Sequence, residues 1–357
     1  MSRGHNAPVR TSAIRRREGF TVVGARAVFA LILSVSLIPP SSGWAADKLY
    51  LGERFGQVVM EIDVRTGDRR LFEMEDYPRV LTARNPAVDG ADSFLFLAGD
   101  AIQRLSIKRY RVSTGVVEGV SGYDNYASME PHGSGPDIGI TLADMVVTPE
   151  NTLLALQGSL GPMEIELDSG DRRLLAGPIN PPTGHNPPMQ EPLDLVWESS
   201  ETILVADRFQ GIFRMSRSTG DLDLPYPTGA FLSPPYNIER LPSGQILHCL
   251  SQEDHALYLF DPTTGEDQVL SSGGPFPVGP GIPFVIVWDI AADEIGHIYV
   301  YDLGIPAVFE VRAKTGERIL ISSSERGRGP DLLAGLSRPS LSAGRAFKLS
   351  GSGWILR

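Results

Sequence analysis

Asp63-Val64-Arg65-Thr66-Gly67-Asp68 is the first of six related turns in this chain. The others are RVSTGV (111–116), ELDSGD (166–171), SRSTGD (216–221), DPTTGE (261–266) and RAKTGE (312–317). Each joins two short apolar runs and places glycine where a tight hairpin needs a positive φ. Successive turn glycines lie 48, 55, 50, 45 and 51 residues apart. A period near 50 built from short strands is the spacing of a β-propeller blade.

Working outward from the turns reveals a second register. DMVVTPENTLLAL from Asp144, DLVWESSETILVAD from Asp194, NIERLPSGQILHC from Asn237 and DIAADEIGHIYVYD from Asp289 superpose without a gap for ten residues. Extending the register adds Asn85 and Arg345, so one polar residue heads each inner strand. Strands of four to six residues and turns of two to four then fit four-stranded antiparallel meanders. The expectation is an all-β, six-bladed propeller of four-stranded antiparallel blades, closed by strands from the N- and C-termini. In that scheme the chain enters blade 1 at its second strand (48–52), and residues 342–349 supply the first. Trp354 to Leu356 has no place in this scheme unless it caps an edge or begins a partial seventh blade.

With Asp261-Pro262-Thr263-Thr264-Gly265, Leu270-Ser271-Ser272 and the links GSGPD (133–137) and GRGPD (327–331), the chain resembles the NHL-repeat and senescence marker protein/gluconolactonase group of propellers. The resemblance is to secreted bacterial members and covers nearly all of residues 46–357. It implies six blades and, for the gluconolactonase-type enzymes, one divalent metal at the channel mouth that serves lactone or ester hydrolysis. Leu51-Gly52-Glu53 matches the start of that family's N-terminal motif but continues with Arg54, and the family's Ser-Asp-Gly element is missing.

Residues 1–45 read as a secretory leader. Arg15, Arg16, Arg17 and Arg26 precede an apolar run from Ala27 to Ile38, then Pro39, Pro40 and a small-residue stretch with expected cleavage after Ala45. The run is shorter than the roughly 20 residues that span a bilayer, so no retained span is expected. The arginine pair leaves general or twin-arginine export open. The remaining 46–357 form one domain, expected to be periplasmic or secreted and monomeric. The whole chain carries 32 basic and 43 acidic side chains, and the leader accounts for six Arg and one Glu. The acidic remainder argues against nucleic acid as a partner. The single cysteine, Cys249, sits in an apolar run, excludes an intrachain disulfide and reads as a small core residue.

Chemistry is expected at one face, because the long links between blades emerge there and the strand heads line the channel mouth beneath them. Asp144, Asp194, Asn237 and Asp289 are hard-oxygen donors of the kind a divalent cation, Ca²⁺ foremost, would take. The same residues equally suit a packing device that repeats in every blade by hydrogen-bonding backbone amides. Asn85, Arg345 and Trp288 are candidate ligand contacts, with Trp288 also readable as core. His132 and His185 lie in links and are candidate general bases, or plain solvated groups. No serine-nucleophile elbow, zinc-protease helix, phosphate loop or paired-cysteine motif is present, and no organic cofactor is expected. The functional expectation is an exported propeller that binds a small-molecule, glycan or protein ligand on its loop-rich face. The alternative is a metal-dependent lactone or ester hydrolase.

Overall fold

The computed structural model describes residues 31–34, 48–53, 58–73, 84–89, 92–99, 105–123, 131–139, 142–157, 161–175, 189–249, 255–293 and 295–332. Blade 1 comprises β1 (Leu31–Ser34), β2 (Lys48–Glu53), β3 (Val58–Asp63) and β4 (Arg69–Glu73). Blade 2 comprises β5 (Arg84–Val88), β6 (Ser93–Gly99), β7 (Leu105–Arg111) and β8 (Val117–Gly122), and blade 3 β9 (Leu142–Val147), β10 (Thr152–Gln157), β11 (Gly161–Glu166) and β12 (Arg172–Leu174). Blade 4 runs β13 (Pro192–Trp197), β14 (Thr202–Asp207), β15 (Gly211–Ser216) and β16 (Leu222–Pro227), followed by one 3-10 turn. Blade 5 has β17 (Asn237–Arg240), β18 (Ile246–Cys249), β19 (Ala256–Asp261) and β20 (Glu266–Ser272). Blade 6 has β21 (Val287–Ala292), β22 (Ile298–Asp302), β23 (Ala307–Val311) and β24 (Arg318–Ser322). Every sheet is an antiparallel meander in chain order, and the six turn glycines all have φ between 65° and 76°. The protein is a six-bladed β-propeller.

Its core is distributed. Among the described residues, buried apolar side chains fall into six clusters, one at each junction between neighbouring blades. Between blades 1 and 2, for example, Tyr50, Phe72, Phe94 and Tyr110 stack with ring centroids about 5–6 Å apart. Blades 6 and 1 meet through Leu49, Leu51, Met60 and Ile62 against Trp288, Tyr299, Tyr301 and Leu332. This junction is packed as fully as those the backbone crosses directly.

The first blade differs from expectation in one strand. Its innermost place is held by Leu31–Ser34, which pairs antiparallel with β2 from Leu31 opposite Glu53 to Ser34 opposite Tyr50. An open β2 edge presents unpaired backbone groups, and any extended apolar segment within reach satisfies them. Residues 342–349, including Arg345, and Trp354 to Leu356 lie outside the described residues.

The links between blades also differ from expectation, because their described parts reach across the junction to the outer strand of the next blade. Three of them close around a buried arginine two residues after a turn glycine. Arg172 of blade 3 donates to Ser121 Oγ at 2.9 Å, to the His132 carbonyl at 2.8 Å and to the Pro136 carbonyl at 2.7 Å, all from blade 2 or its exit link. Arg318 of blade 6 donates to Ser271 Oγ and to the carbonyls of Ser272, Val278, Gly279 and Ile282 at 2.6–2.9 Å. Arg69 of blade 1 closes the seam with blade 6 on Ser322 Oγ at 2.7 Å, the Ser323 and Arg326 carbonyls at 2.7 and 2.8 Å, and the Pro330 carbonyl at 2.5 Å. Each serine in turn donates to the turn glycine carbonyl beside it, at Gly170, Gly316 and Gly67. A planar guanidinium with five donors suits such a set of converging carbonyls. Burial pulls all three guanidinium groups below their ordinary pKa.

Candidate functional site

The predicted strand heads Asp144, Asp194, Asn237 and Asp289 come together on β9, β13, β17 and β21, the inner strands of blades 3 to 6. The three carboxylates have no solvent exposure, and Asn237 is buried. They are linked in sequence around the ring. Asp144 Oδ2 accepts the Leu195 amide of the next blade at 3.2 Å, and Asp194 Oδ1 shares that amide at 2.9 Å. Asp194 Oδ2 accepts the Ile238 amide of blade 5 at 2.7 Å. Asn237 Nδ2 donates across the next junction to the Trp288 carbonyl at 3.2 Å and to Asp289 Oδ1 at 2.8 Å. Asp144, Asp194 and Asn237 thus hold the inner strand of the following blade by its backbone, and Asp289 accepts the Ile290 amide of its own strand, at a depth where an unpaired amide is costly.

Hydrogen bonds engage much of this donor set. Both oxygens of Asp194 are engaged by backbone amides, and one Asp289 oxygen is shared by Asn237 and the Ile290 amide. Among the described residues, no three His, Cys, Asp or Glu side chains are grouped to hold a metal ion.

The other predicted residues scatter. Trp288 packs in the junction between blades 6 and 1. Asn85 lies on β5, while Arg345 and His185 fall outside the described residues. His132 is exposed in the blade 2 exit link, where its backbone bridges Gly122 and its carbonyl accepts Arg172. The structure therefore brings the acidic heads together and places neither His132 nor the Trp288 side chain with them, although Asn237 bonds the Trp288 carbonyl.

Two carboxylates that sequence reading passed over organise the link-bearing face. Asp207 ends β14 and accepts the amides of Gln190 and Glu191 from the entering link and of Phe209 and Gln210 from the following turn, at 2.6–3.1 Å. Asp302 ends β22 and does the same for Val285, Ile286, Gly304 and Ile305, at 2.6–3.2 Å. Burial pushes the Asp302 carboxyl above its ordinary value, while the four amides pull it down. The sequence signal was the shared end of the second strand, Ala206-Asp207 and Tyr301-Asp302, at one register.

On the frame these residues fix stand large exposed apolar side chains. Phe209 is 57% exposed, Leu232 64%, Phe276 87% and Ile282 48%. All four lie on the turn or exit links of blades 4 and 5. From Gln268 to Trp288 no residue is charged. The Arg318 contacts fix the middle of that stretch.

No protein-family profile matches the chain, and no curated protein matches it in sequence. Solved structures share the architecture. A structure of a nidogen/laminin complex is 14% identical over 78% of this chain and 95% of that one, with a TM-score of 0.51. A protein of unknown function from Bacteroides caccae is 11% identical over 80% and 96%, also with a TM-score of 0.51. The extracellular domain of a putative one-component system from B. thetaiotaomicron is 14% identical over 72% of this chain, with a TM-score of 0.44, and only 30% of that longer chain is spanned. These identities speak for the propeller fold alone. Among the described residues, no helix is long and apolar enough to cross a membrane.

Proposed function

We propose that the chain is an exported propeller that binds a protein partner through the apolar side chains on the links of blades 4 and 5. The observation that carries this reading is the exposure of Phe209, Leu232, Phe276 and Ile282 on links whose backbone Asp207, Asp267 and Arg318 hold by hydrogen bonds. Apolar groups held rigidly in water mark an interaction site, and little conformational freedom remains to be lost when the partner docks. Side chains that stand out from the surface suit a partner that brings the concave half of the interface. Export is supported by the basic start and apolar run before Ala45. The narrower kinship with NHL-repeat and gluconolactonase propellers rests on the turn and link motifs, and binding is favoured over lactone hydrolysis because the head carboxylates are occupied by backbone amides.

A photo-reactive residue at position 276, compared with one at Ile295 on a turn of the opposite face, tests this reading in the exporting cell. Discrete adducts from position 276 and none from 295 are expected. Equal adduct patterns from both positions would overturn the docking face. An N-terminus at Ala46 in the exported protein is the matching outcome for the leader.

A further inference from the structure

We infer that the partner meets Arg208 with a side-chain carboxylate, an aspartate or glutamate framed by apolar groups that pack on Phe209 and Leu232. The inference rests on the docking reading above and names the chemistry that the partner brings.

Arg208 opens the turn between β14 and β15, one residue before Phe209. Its guanidinium lies over the Phe209 ring, 5.6 Å from the centroid, and over the Tyr236 ring at 5.9 Å. The backbone around it is braced. The Arg208 amide donates to the Glu191 carbonyl at 3.1 Å, and Asp207 Oδ1 accepts the Phe209 and Gln210 amides. Thr228 donates from its amide to the Gln210 carbonyl at 2.7 Å and from its hydroxyl to the Phe209 carbonyl at 2.8 Å. Two aromatic faces on a fixed turn leave a planar cation little freedom to lose on binding. Its donors are unspent, however. Among the described residues its one ion pair is with Glu191, whose Oε1 lies 3.7 Å from Nη1, beyond hydrogen-bonding distance, and solvent reaches both side chains.

The turn itself does not call for an arginine. Blade 6 builds the same turn after Asp302, which accepts the Gly304 and Ile305 amides as Asp207 accepts those of Phe209 and Gln210. Leu303 stands at the place of Arg208, and its amide donates to the Ile286 carbonyl as that of Arg208 donates to Glu191. The Leu303 side chain packs against the junction of blades 6 and 1. Equivalent backbone thus carries a core leucine in one blade and an exposed guanidinium in the other.

From Leu224 to Ile238 and from Gln268 to Trp288 no residue is charged, so Arg208 is a cation at the edge of an apolar field. A partner that covers the field strips water from the guanidinium, and an anion on the partner restores the lost hydrogen bonds. The planar fork fits a carboxylate through two parallel bonds, and arginine is among the residues on which binding energy concentrates. A chain-terminal carboxylate is captured by backbone amides, and those of the adjoining Phe209 and Gln210 are taken by Asp207. An acidic side chain needs the fork alone.

The test carries the photo-reactive residue at position 276 into Arg208 variants of the full chain in the exporting cell. Arg208→Leu installs what blade 6 carries, so its melting temperature should stay close to wild type while the position-276 adduct falls at least about tenfold. Arg208→Lys, made together with Glu191→Gln so that this neighbour cannot compete, is then treated with a water-soluble carbodiimide, which joins an amine to a carboxylate in contact with it. The expected product links position 208 to an aspartate or glutamate of the protein found in the wild-type position-276 adduct, located by peptide mass spectrometry. If Arg208→Leu melts early, the coupling arm decides. An adduct yield unchanged in a folded Arg208→Leu, or coupling to the partner's terminal carboxylate or to no carboxylate, would overturn the inference and leave the docking face standing. No adduct from position 276 in the otherwise wild-type chain would overturn the docking face itself, and the inference with it.

Discussion

Ser322 and Arg69 lie 253 positions apart in the chain, yet Ser322 Oγ accepts a 2.7 Å hydrogen bond from Arg69 Nη1 and donates one to the Gly67 carbonyl. This pair joins the last blade to the first where no covalent link runs between them. The same arginine and serine arrangement recurs at the junctions of blades 2 with 3 and 5 with 6. A circular fold made from a linear chain needs one non-covalent seam, and here it reuses a contact that also serves at covalent junctions.

Arg69→Ala should therefore destabilise the protein more than Arg172→Ala. Each substitution leaves several buried carbonyls without a donor, at a cost of about 3 kcal/mol. At the seam the loss also frees the 326–330 link and with it Leu332. Urea unfolding of both variants measures the difference. An Arg69→Ala variant as stable as wild type would remove the seam contact as a closure element.

The link glycines give a sharper contrast. A Cβ at Gly133 would stand 2.0 Å from the Gly170 carbonyl oxygen, and one at Gly327 would stand 1.8 Å from that of Gly67. At Gly265 nothing lies within 4 Å, although φ is +73° there. Gly265→Ala should thus cost only the left-handed backbone penalty of about 1–2 kcal/mol. Gly133→Ala adds overpacking of about 1–3 kcal/mol. Thermal melts of the two variants should differ by several degrees, with Gly133→Ala the lower.

The blade count was legible because each repeat must reverse direction at a residue tolerating positive φ, and Gly67, Gly115, Gly170, Gly220, Gly265 and Gly316 meet that demand at nearly constant spacing. The head register was legible for a similar reason, since pseudo-symmetry forces equivalent residues into equivalent places. What the heads do was not legible. A carboxylate that accepts backbone amides and one that holds Ca²⁺ are the same residue type at the same spacing, and only the partner atoms of Asp194 separate the two. The arginine contacts escaped notice because each depends on three pieces of different blades. In sequence they appear only as a coincidence: Arg69, Arg172 and Arg318 follow turn glycines by two residues, and Ser322, Ser121 and Ser271 end the preceding blade. Blade 5 places Asp267 at that position instead, where it holds the Leu232 amide and His248.

Stability should depend on pH through Glu164. Its burial opposes ionisation, but hydrogen bonds from Arg217, at 2.5 Å, and from Arg173 outweigh it, so its carboxyl lies below the ordinary 4.5. A depressed folded-state value means that ionised Glu164 is favoured by folding. Its contribution is complete above about pH 4.5 and is lost as pH falls through the lower folded value. Glu164→Gln should flatten that part of the acid-unfolding profile and lower stability at pH 7. Superimposable wild-type and variant profiles between pH 5 and pH 2 would show that the pair contributes nothing.

Asp194 distinguishes a packing ring from a cation site. Its two oxygens accept the Leu195 and Ile238 amides at 2.9 and 2.7 Å, so Asp194→Ala leaves a buried amide of blade 5 unpaired, at a cost of about 1–3 kcal/mol. A cation held by the heads would make stability depend on its concentration as well, because any ligand of the native state adds to stability by mass action. The packing role predicts wild-type melting that is the same in excess Ca²⁺ and in excess chelator, with Asp194→Ala shifted down equally in both. Asp194→Asn keeps one acceptor oxygen and should fall between wild type and alanine. A wild-type melting temperature that rises with Ca²⁺, and no longer does so in Asp194→Ala, would assign the heads to metal after all and reopen the hydrolytic reading.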